Sequence, residues 1–194
     1  MRRRLPARVF AGAGLDFGLL YEAERNAGND VRRIGEEGLY EMLRDKNLQA
    51  LGKAKYQKIV TTDPHAYNAL KNEYPALGAA YRVQHYTEFL AERLDQLKPL
   101  LKRPLKARVT YHDPCHNGRH LMHLKGKDWS FEAPRECVQS IPGVKFQEMV
   151  RNRALQRCCG AGGGVKAGIP DLAMDCAMAR VQDATDIQAE VIAS

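Results

Sequence analysis

The amino-acid sequence predicts an α/β fold of two similar lobes with mainly parallel sheets. Short runs rich in β-branched residues alternate with stretches of helical periodicity, which is typical of layered α/β architecture. A weak internal repeat supports two lobes. Gly14–Phe17 resembles Gly143–Phe146, and Ile59–Thr62 resembles Val191–Ser194 at a nearly equal offset. We therefore expect two related lobes along one chain.

The individual elements follow from the same patterns. Apolar residues at positions i, i+4 and i+7 predict two helices, and Pro170–Asp171 is the expected start of the second. The apolar residues of the first helix are Leu90, Leu94 and Leu97. Those of the second are Met174, Met178 and Val181. Runs of β-branched and aromatic residues predict six strands. These are Arg8–Phe10, Lys58–Thr62, Arg82–Tyr86, Arg108–His112, Val144–Val150 and Val191–Ala193.

Composition excludes several classes of protein. The chain has 194 residues, of which 44% are hydrophobic and 27% charged, values of an ordinary globular protein rather than a disordered one. No apolar run reaches the roughly 20 residues of a membrane-spanning helix. Met1–Pro6 is basic but precedes no apolar stretch, so it is not a secretory signal. We expect a cytoplasmic protein that reaches the cytoplasmic face of a membrane only through partners.

The net charge of +7 raises the question of nucleic-acid binding. Lysine and arginine are scattered along the chain, and aromatic residues make up only 7%, so neither a stacking platform nor a groove-binding basic helix is present in the sequence. The pattern instead favours a solvated basic surface that suits an acidic protein partner.

Cysteine usage points to metal rather than to disulfides. The odd number of cysteines and the lack of an export signal do not fit a disulfide framework, and vicinal cysteines cannot pair without severe strain. The five cysteines are Cys115, Cys137, Cys158, Cys159 and Cys176. Cys137 and Cys176 are predicted core residues, the latter on a helical face between Leu172 and Ala179.

The strongest motif is Cys158–Gly164, in which two adjacent cysteines precede four glycines in five positions. Glycine contributes nothing to a core, but it lets the backbone approach a bulky inorganic group, and successive N–H groups can form an anion-binding nest. A phosphate loop is the alternative, but the run does not end in Gly-Lys-Ser/Thr. Two buried free cysteines beside a loop remain the structural alternative.

A second motif, Tyr111–His116, follows a predicted strand, at the edge where α/β folds place their sites. It contains Cys115, and its histidines His112 and His116 can supply protons near neutral pH. Zinc is the alternative metal, because His120 and His123 follow closely and histidine and cysteine are its ligands. The spacing of these residues, however, fits no usual zinc pattern. His120 and His123 are otherwise expected to face solvent.

Together the two motifs resemble the CCG cysteine-rich domain of heterodisulfide reductase catalytic subunits and their relatives. That pattern has one Cys, then Cys-Cys-Gly, then Cys-x-x-Cys, usually in two tandem domains. The resemblance implies a [4Fe–4S] cluster, noncubane in type by the family pattern, bound by Cys115, Cys158 and Cys159 and approached by Gly160, Gly162, Gly163 and Gly164. Residues 1–98 resemble a degenerate first domain, 99–106 a linker, and 107–194 a second, cluster-binding domain.

Both domains of the chain depart from the family pattern, and each departure leads to an expectation. In the first domain the family's cysteines would fall near Asn26 and on Asp63 and Ala66, so this lobe is expected to be cluster-free and structural. In the second, His120–Ser130 resembles an insertion, and the closing Cys-x-x-Cys does not occur before Ser194. Both domains are thus incomplete at the chain ends. The expected explanations are a piece of a longer product, completion by another chain, or a selenocysteine codon taken as a stop.

Within the family, Asp63–Ala66 most resembles the heterodisulfide-reductase-like subunit of the membrane complex linked to dissimilatory sulfite reduction. This implies an oxidoreductase subunit that exchanges electrons with a haem b membrane subunit through ferredoxin-type iron–sulfur subunits. Its substrate would be a disulfide or trisulfide on a thiol or small protein. The alternatives are the iron–sulfur subunit of a lactate or glycolate oxidase, a zinc-binding scaffold, and a non-catalytic assembly module.

Overall fold

A computed structural model describes residues 4–78, 81–120 and 129–194. His123 and most of the predicted insertion lie outside these residues. The chain divides into two compact units, Met1–Phe89 and Leu90–Ser194. Both units combine helices with a small parallel sheet, which confirms the predicted α/β class. Among the described residues, no helix is long and apolar enough to cross a membrane.

The first unit is mostly helical around a two-stranded sheet. Strands β1 and β2 run parallel, with Ile59 opposite Val83 and Thr61 opposite His85. Its elements in chain order are α1 (Arg4–Gly12), a 3₁₀ turn (Tyr21–Ala23), α2 (Asn29–Arg33), α3 (Glu37–Gly52), β1 (Ile59–Thr61), α4 (Pro64–Asn68), a π-helical turn (Ala69–Glu73), a 3₁₀ turn (Pro75–Leu77) and β2 (Val83–His85). Helix α5 (Tyr86–Ala91) spans the boundary between the units.

The core of the first unit is built from buried tyrosines. Tyr40, Tyr67 and Tyr74 are fully buried. The Tyr74 hydroxyl donates to the Ala27 carbonyl at 3.2 Å and accepts from the Asn47 amide at 3.2 Å, and burial raises its pKa to about 12. A buried hydroxyl without partners would be costly, so these bonds let a large aromatic ring fill the core.

The second unit carries a three-stranded parallel sheet in the order β4-β3-β5. In β3, Val109 lies opposite Phe146 of β4 and Val191 of β5. Its elements are α6 (Leu94–Leu97), a 3₁₀ turn (Lys98–Leu100), β3 (Arg108–Tyr111), α7 (Trp129–Gln139), β4 (Lys145–Phe146), a 3₁₀ turn (Arg153–Leu155), α8 (Val165–Gly168), α9 (Pro170–Asp186) and β5 (Val191–Ala193). Parallel strands align their carboxyl ends, so the loops after β3 and β4 open on the same edge.

Five of the six predicted strands are present, four of them close to their predicted limits and β4 much shorter. The prediction at Arg8–Phe10 is wrong, because these residues lie in α1. Pro6 is compatible with the first turn of a helix. Phe10 is buried against the rings of Phe17 and Phe89, at centroid distances of 5.6 and 5.3 Å, whereas the neighbouring Val9 is exposed. In a strand Arg8 would share the face of the buried Phe10, but Arg8 is exposed, so the burial does not follow strand alternation.

The helix predicted from Met174, Met178 and Val181 forms as α9, but this stripe faces outward. Met174 and Met178 are 62% and 64% exposed. The buried face of α9 carries Ala173, Arg180 and Ala184. Short alanine side chains allow this face to approach the neighbouring backbone closely, and the larger apolar residues are left outside.

A buried ion pair joins the elements of the second unit. The guanidinium of Arg135, on α7, binds both carboxylate oxygens of Asp113, at 2.6 and 2.9 Å, and both side chains are 2% exposed. Arg135 also donates to Glu148, at 2.5 and 3.1 Å, and to the Phe131 carbonyl at 2.6 Å. Burial opposes the charge of Arg135, but these carboxylates raise its pKa above the ordinary arginine value. Arg135 therefore stays charged inside the unit.

Replacing Arg135 with Met should lower the free energy of unfolding by about 3–5 kcal/mol, because the Asp113 carboxylate would be left buried without its partner. Urea unfolding followed by circular dichroism measures this. The matched control is Arg108→Met, which removes an exposed ion pair to Glu190 (3.7 Å) and should cost about 1 kcal/mol or less. Equal losses in the two variants would contradict the structural role given to Arg135.

Candidate metal centre

The loop after β3 carries the first predicted ligand. The strand ends at Tyr111, and the chain then turns, with the Asn117 and Gly118 amides donating to the Pro114 carbonyl at 3.1 and 2.9 Å. Pro114 has a restricted φ, which favours a tight turn at this point. The turn places Cys115 at the carboxyl edge of the sheet with a half-buried thiol.

The loop after β4 carries the other two predicted ligands, and both thiols are exposed. Cys158 and Cys159 precede Gly160, whose amide N–H donates to the Cys158 sulfur at 3.3 Å. Gly160 has a φ of +80°, and a Cβ at this position would lie 2.3 Å from the Ala173 carbonyl oxygen. The first glycine after the cysteines therefore holds their loop directly against α9, where no side chain fits.

The Cys115 thiol lies close enough to the Cys158 and Cys159 thiols for their charges to interact. Burial raises the pKa of the Cys115 thiol first, and charge interactions with the nearby Cys159 and Cys158 raise it further. The backbone N–H of His116 acts in the opposite direction by bonding the Cys115 sulfur. Thiolates that repel one another at close range would be relieved by a shared cation, since metal binding requires the deprotonated form. The structure thus brings Cys115, Cys158 and Cys159 together across 43 residues of sequence.

The spacing of the thiols bears on which metal group fits. Within the described ranges, these three sulfurs do not all lie within 4.8 Å of one another. Tetrahedral zinc with Zn–S bonds of about 2.3 Å would bring its ligand sulfurs to about 3.8 Å. Thiolates that bind different irons of a cluster stand farther apart. The three described thiols are therefore not arranged around a single tetrahedral zinc ion.

The remaining glycines shape the end of the loop. Gly163 and Gly164 adopt left-handed φ values of 63° and 81°, and Gly164 caps the start of α8. The Gly162 carbonyl accepts from the Val165 amide at 3.3 Å. A Cβ on Gly163 would meet no atom within 4 Å, so this glycine leaves open space on the loop. The role of Gly160, Gly162, Gly163 and Gly164 as a cradle for a cluster stays a prediction.

His112 is buried directly after β3, and its surroundings hold it neutral. Arg180 Nε donates to His112 Nδ1 at 2.9 Å. Burial, followed by the charge of Arg180, lowers the pKa of His112 to about 4, against a smaller opposing effect of Asp113. At pH 7 the ring is uncharged, so it does not hold the proton that an imidazolium would donate. This environment does not favour the proton donation predicted for His112.

His116, the other predicted proton donor, is 5% exposed. Its ring packs edge-on against the ring of His120, with centroids 4.2 Å apart. His120 is partly exposed, and the pair lies in the turn that follows Cys115. Proton donation by His116 stays a prediction.

The other two cysteines differ from the three at the loops. Cys137 is half-buried on α7, and burial, together with the nearby Glu136, raises its pKa to about 12. Its thiol therefore stays protonated and unreactive. Cys176 is also half-buried, while Leu172 on the face predicted to cover it is 47% exposed. Cys176 thus borders the buried face of α9 and is not a full core residue.

Sequence patterns did not identify the charged residues that hold the cysteine loops. Asp113 accepts from the backbone N–H of Arg153 at 2.7 Å, and Arg180 donates to the Arg151 carbonyl at 2.7 Å. Arg153 also binds Glu132 through two bonds, at 2.6 and 3.1 Å. Asp113 lies inside the motif Tyr111–His116, and that position is the only sequence feature that could have identified it. The arginines lie in no motif.

In the first unit, the positions that correspond to family cysteines have other roles. Asp63 begins α4 as its N-cap and accepts from the His65 amide at 2.9 Å. The Asn26 side chain accepts from the Gly28 amide at 2.8 Å. Both side chains thus stabilise local backbone. That this lobe is cluster-free and structural stays a prediction.

Gly160→Ala should lower the free energy of unfolding by about 2–5 kcal/mol, because the new methyl group is strained at positive φ and collides with the Ala173 backbone. Gly163→Ala is the matched control. It shares the positive φ but has open space, so about 1–2 kcal/mol is expected. Urea unfolding compares the two. A control as destabilised as Gly160→Ala would rule out close packing on α9 as the cause.

Acidification from pH 7 to pH 4 should weaken the fold through His112. The unfolded state binds a proton on this residue near pH 6.5, and the folded state does so only near pH 4, so stability is complete above pH 6.5 and falls as the pH approaches 4. The contribution is about 2–3 kcal/mol. His112→Gln removes the titrating group, so its unfolding free energy should depend less steeply on pH. An unchanged slope would contradict the lowered pKa.

Comparison with known proteins finds a family domain in the second unit. The family model described as "Cysteine-rich domain", CCG, matches residues 109–194, the segment that contains both cysteine loops. The chain is 40% identical to a subunit of the dihydromethanophenazine:CoB–CoM heterodisulfide reductase of Methanosarcina mazei, over 97% of this chain and 46% of that protein.

Two further relatives are described as oxidoreductases. The probable iron-sulfur-binding oxidoreductase FadF of Bacillus subtilis is 39% identical over 97% of this chain and 26% of its own length. EtfAB:quinone oxidoreductase of Syntrophomonas wolfei is 38% identical over 81% of this chain and 21% of its own length. The chain thus spans between a fifth and a half of these relatives, and its residues 109–194 match the model of the CCG cysteine-rich domain.

Proposed function

We propose that the chain is the iron–sulfur electron-transfer part of a heterodisulfide-reductase-like oxidoreductase complex. In this proposal it reduces or forms a disulfide or trisulfide carried by a thiol or a small protein. The observation that supports it most directly is the meeting of Cys115 with Cys158 and Cys159 at the carboxyl edge of the second sheet. The descriptions of the relatives as heterodisulfide reductase and iron–sulfur oxidoreductase support the same class of chemistry.

The three thiolates would hold a [4Fe–4S] cluster, for which we propose the noncubane type. The family pattern uses five cysteines, so the other two thiolates would come from polypeptide outside this sequence. When bound, the cluster would supply the single-electron steps that breaking or making an S–S bond requires. The N–H of Gly160 already donates to the Cys158 sulfur, a bond that stabilises a thiolate. The glycines after it would admit a bulky group beside the backbone.

The other parts of the proposed complex follow from the same class. Electrons would pass through ferredoxin-type iron–sulfur subunits and a haem b membrane subunit, and the chain would lie in the cytoplasm, at the membrane face through these partners. The net charge of +7 would favour an acidic protein partner or substrate. His116 would be the proton donor to a departing thiolate, and substitution of His116 by Ala with undiminished turnover would rule this role out.

A second candidate function is electron relay without a sulfur substrate, as in the iron–sulfur subunit of a lactate or glycolate oxidase. The description of one relative as an EtfAB:quinone oxidoreductase favours this candidate. Assay of the native complex with a reduced viologen dye and a disulfide separates the two. Disulfide-dependent dye oxidation supports the sulfur-reducing function, whereas a complex that oxidises the dye only with a quinone or flavoprotein present supports the relay.

Cys115→Ser should reduce bound iron and acid-labile sulfide to less than half of the wild-type content of about four each, because serine does not replace a thiolate ligand. The measurement uses the chain purified anaerobically from its native assembly. Cys137→Ser is the matched control, since the Cys137 thiol is protonated and lies outside the two loops, and it should retain its iron.

Two outcomes would contradict the proposal. If the wild-type chain purified from its native assembly contained neither iron nor sulfide, it would be a non-catalytic module. Iron loss in Cys137→Ser equal to that in Cys115→Ser would show that the cluster does not depend on the loops specifically. Zinc bound without sulfide would instead support the zinc scaffold.

A further inference from the structure

Arg180 connects three segments of the second unit from a buried position. Its side chain is 5% exposed. Nε donates to His112 Nδ1 at 2.9 Å, and Nη1 donates to the Arg151 carbonyl at 2.7 Å and to Asp183 at 3.2 Å. The end of β3, the loop that leads to Cys158 and helix α9 thus meet at one guanidinium.

This contact determines where His112 keeps its proton. A guanidinium does not lose its protons in proteins and has no acceptor, so the Nδ1 atom that faces Arg180 can only accept. The neutral ring must then carry its proton on Nε2. Protonation of Nδ1 would place two donors against each other, and the adjacent positive charge opposes it as well. The geometry alone therefore selects one tautomer of the neutral ring.

The Nε2–H group of His112 remains available for a bond. No described residue accepts a hydrogen bond from it. His112 directly follows β3, and Cys115 comes three residues later in the same loop. A fixed neutral donor three residues before Cys115 can bond a group that becomes negative during a reaction, and it does so without giving up its proton.

We propose that His112 is a neutral hydrogen-bond donor to the sulfur anion formed at the cysteine site, and that Arg180 is the positioning residue that holds it in this form. The inference rests on the proposed function. Two electrons that enter an S–S bond break it and leave two thiolates; His112 bonds one of them through Nε2–H, and solvent supplies the protons that convert thiolates to thiols. This role differs from the proton donation predicted from sequence.

The charged groups around His112 agree with this assignment. Arg180 approaches from α9 and Asp113 from the same loop, and these are the charges that act on the ring. Asp113 is already bonded to Arg135 through both oxygens, so its charge is largely compensated. Arg180 is partly compensated by Asp183, which also pairs with Arg157 at 3.0 Å.

The first experiment measures the ring nitrogens of His112 by ¹⁵N NMR in the cluster-free full chain, with the signal assigned from its loss in His112→Gln. We expect one protonated Nε2 and one bare Nδ1, unchanged between pH 5.5 and 8. Arg180→Met should mix the tautomers and move the His112 pKa toward about 6.5. Arg157→Met, which removes the other partner of Asp183, is the control and should leave the signal unchanged.

The second experiment compares turnover of two His112 variants in the native complex. Glutamine offers an acceptor to Arg180 and a neutral N–H donor, so His112→Gln should keep activity within about threefold. Leucine offers neither, so His112→Leu should lose about ten- to a hundredfold. A proton-donating histidine would instead make both variants equally inactive.

The outcomes separate this inference from the function on which it rests. The inference alone is overturned if His112 titrates near pH 6.5 in the wild-type chain. It is also overturned if the Gln and Leu variants lose equal amounts of turnover. Wild-type complex that turns over no disulfide or trisulfide overturns the proposed function. The NMR measurement needs neither cluster nor substrate. If the His112 tautomer is unchanged in Arg180→Met, the positioning role of Arg180 is overturned, even if that variant folds less stably.

Discussion

The buried carboxylate of Asp113 is the group on which the arrangement of the second unit depends. One side chain, two residues before Cys115, accepts two bonds from Arg135 on α7 and one from the backbone of Arg153 in the opposite loop. A buried charge is tolerated only when it is paired and fully bonded, so these three segments can pack only in the relative positions that satisfy it. The two cysteine loops are therefore positioned by bonds in which none of Cys115, Cys158 and Cys159 takes part.

Arg153 shows how tightly the second loop is held. It adopts a φ of 53°, which is unfavourable for a residue with a side chain. Its N–H binds Asp113, and its guanidinium binds Glu132 on α7 and Glu148 near β4. This conformation turns the chain toward Cys158 a few residues later. Local strain at one arginine is thus offset by ion pairs to two elements that flank the loop.

The site combines this rigid frame with exposed ligands. Cys158 and Cys159 are exposed, while Gly160 fits against α9 so closely that any side chain would collide. Arg180 comes from the same helix and fixes His112 at the end of β3. Helix α9 therefore positions both the thiols of one loop and the imidazole of the other. Because α9 turns its alanines and Arg180 inward, its methionine stripe remains on the surface.

Local sequence patterns were sufficient for features that depend on nearby residues. β-Branched runs located β1, β2, β3 and β5, and the motifs around Cys115 and Cys158 identified the three thiols that the structure brings together. They failed at Arg8–Phe10, where three residues cannot distinguish a strand from one turn of a helix. At α9 they predicted the helix and its start at Pro170, but periodicity reveals only that a helix has an apolar stripe and not whether that stripe is buried.

The frame of the site could not be predicted from the sequence, because it consists of charged residues paired over long separations. Arg135 meets Asp113 across 22 positions, and Arg180 meets His112 across 68. In a single sequence an arginine is expected at the surface, and nothing marks the few that are buried. The sequence by itself determined the α/β class, the strands and the thiols, because spacing and side-chain chemistry are local. Only the tertiary structure decided which charges are buried and the protonation state of His112, because both depend on which partner approaches each group.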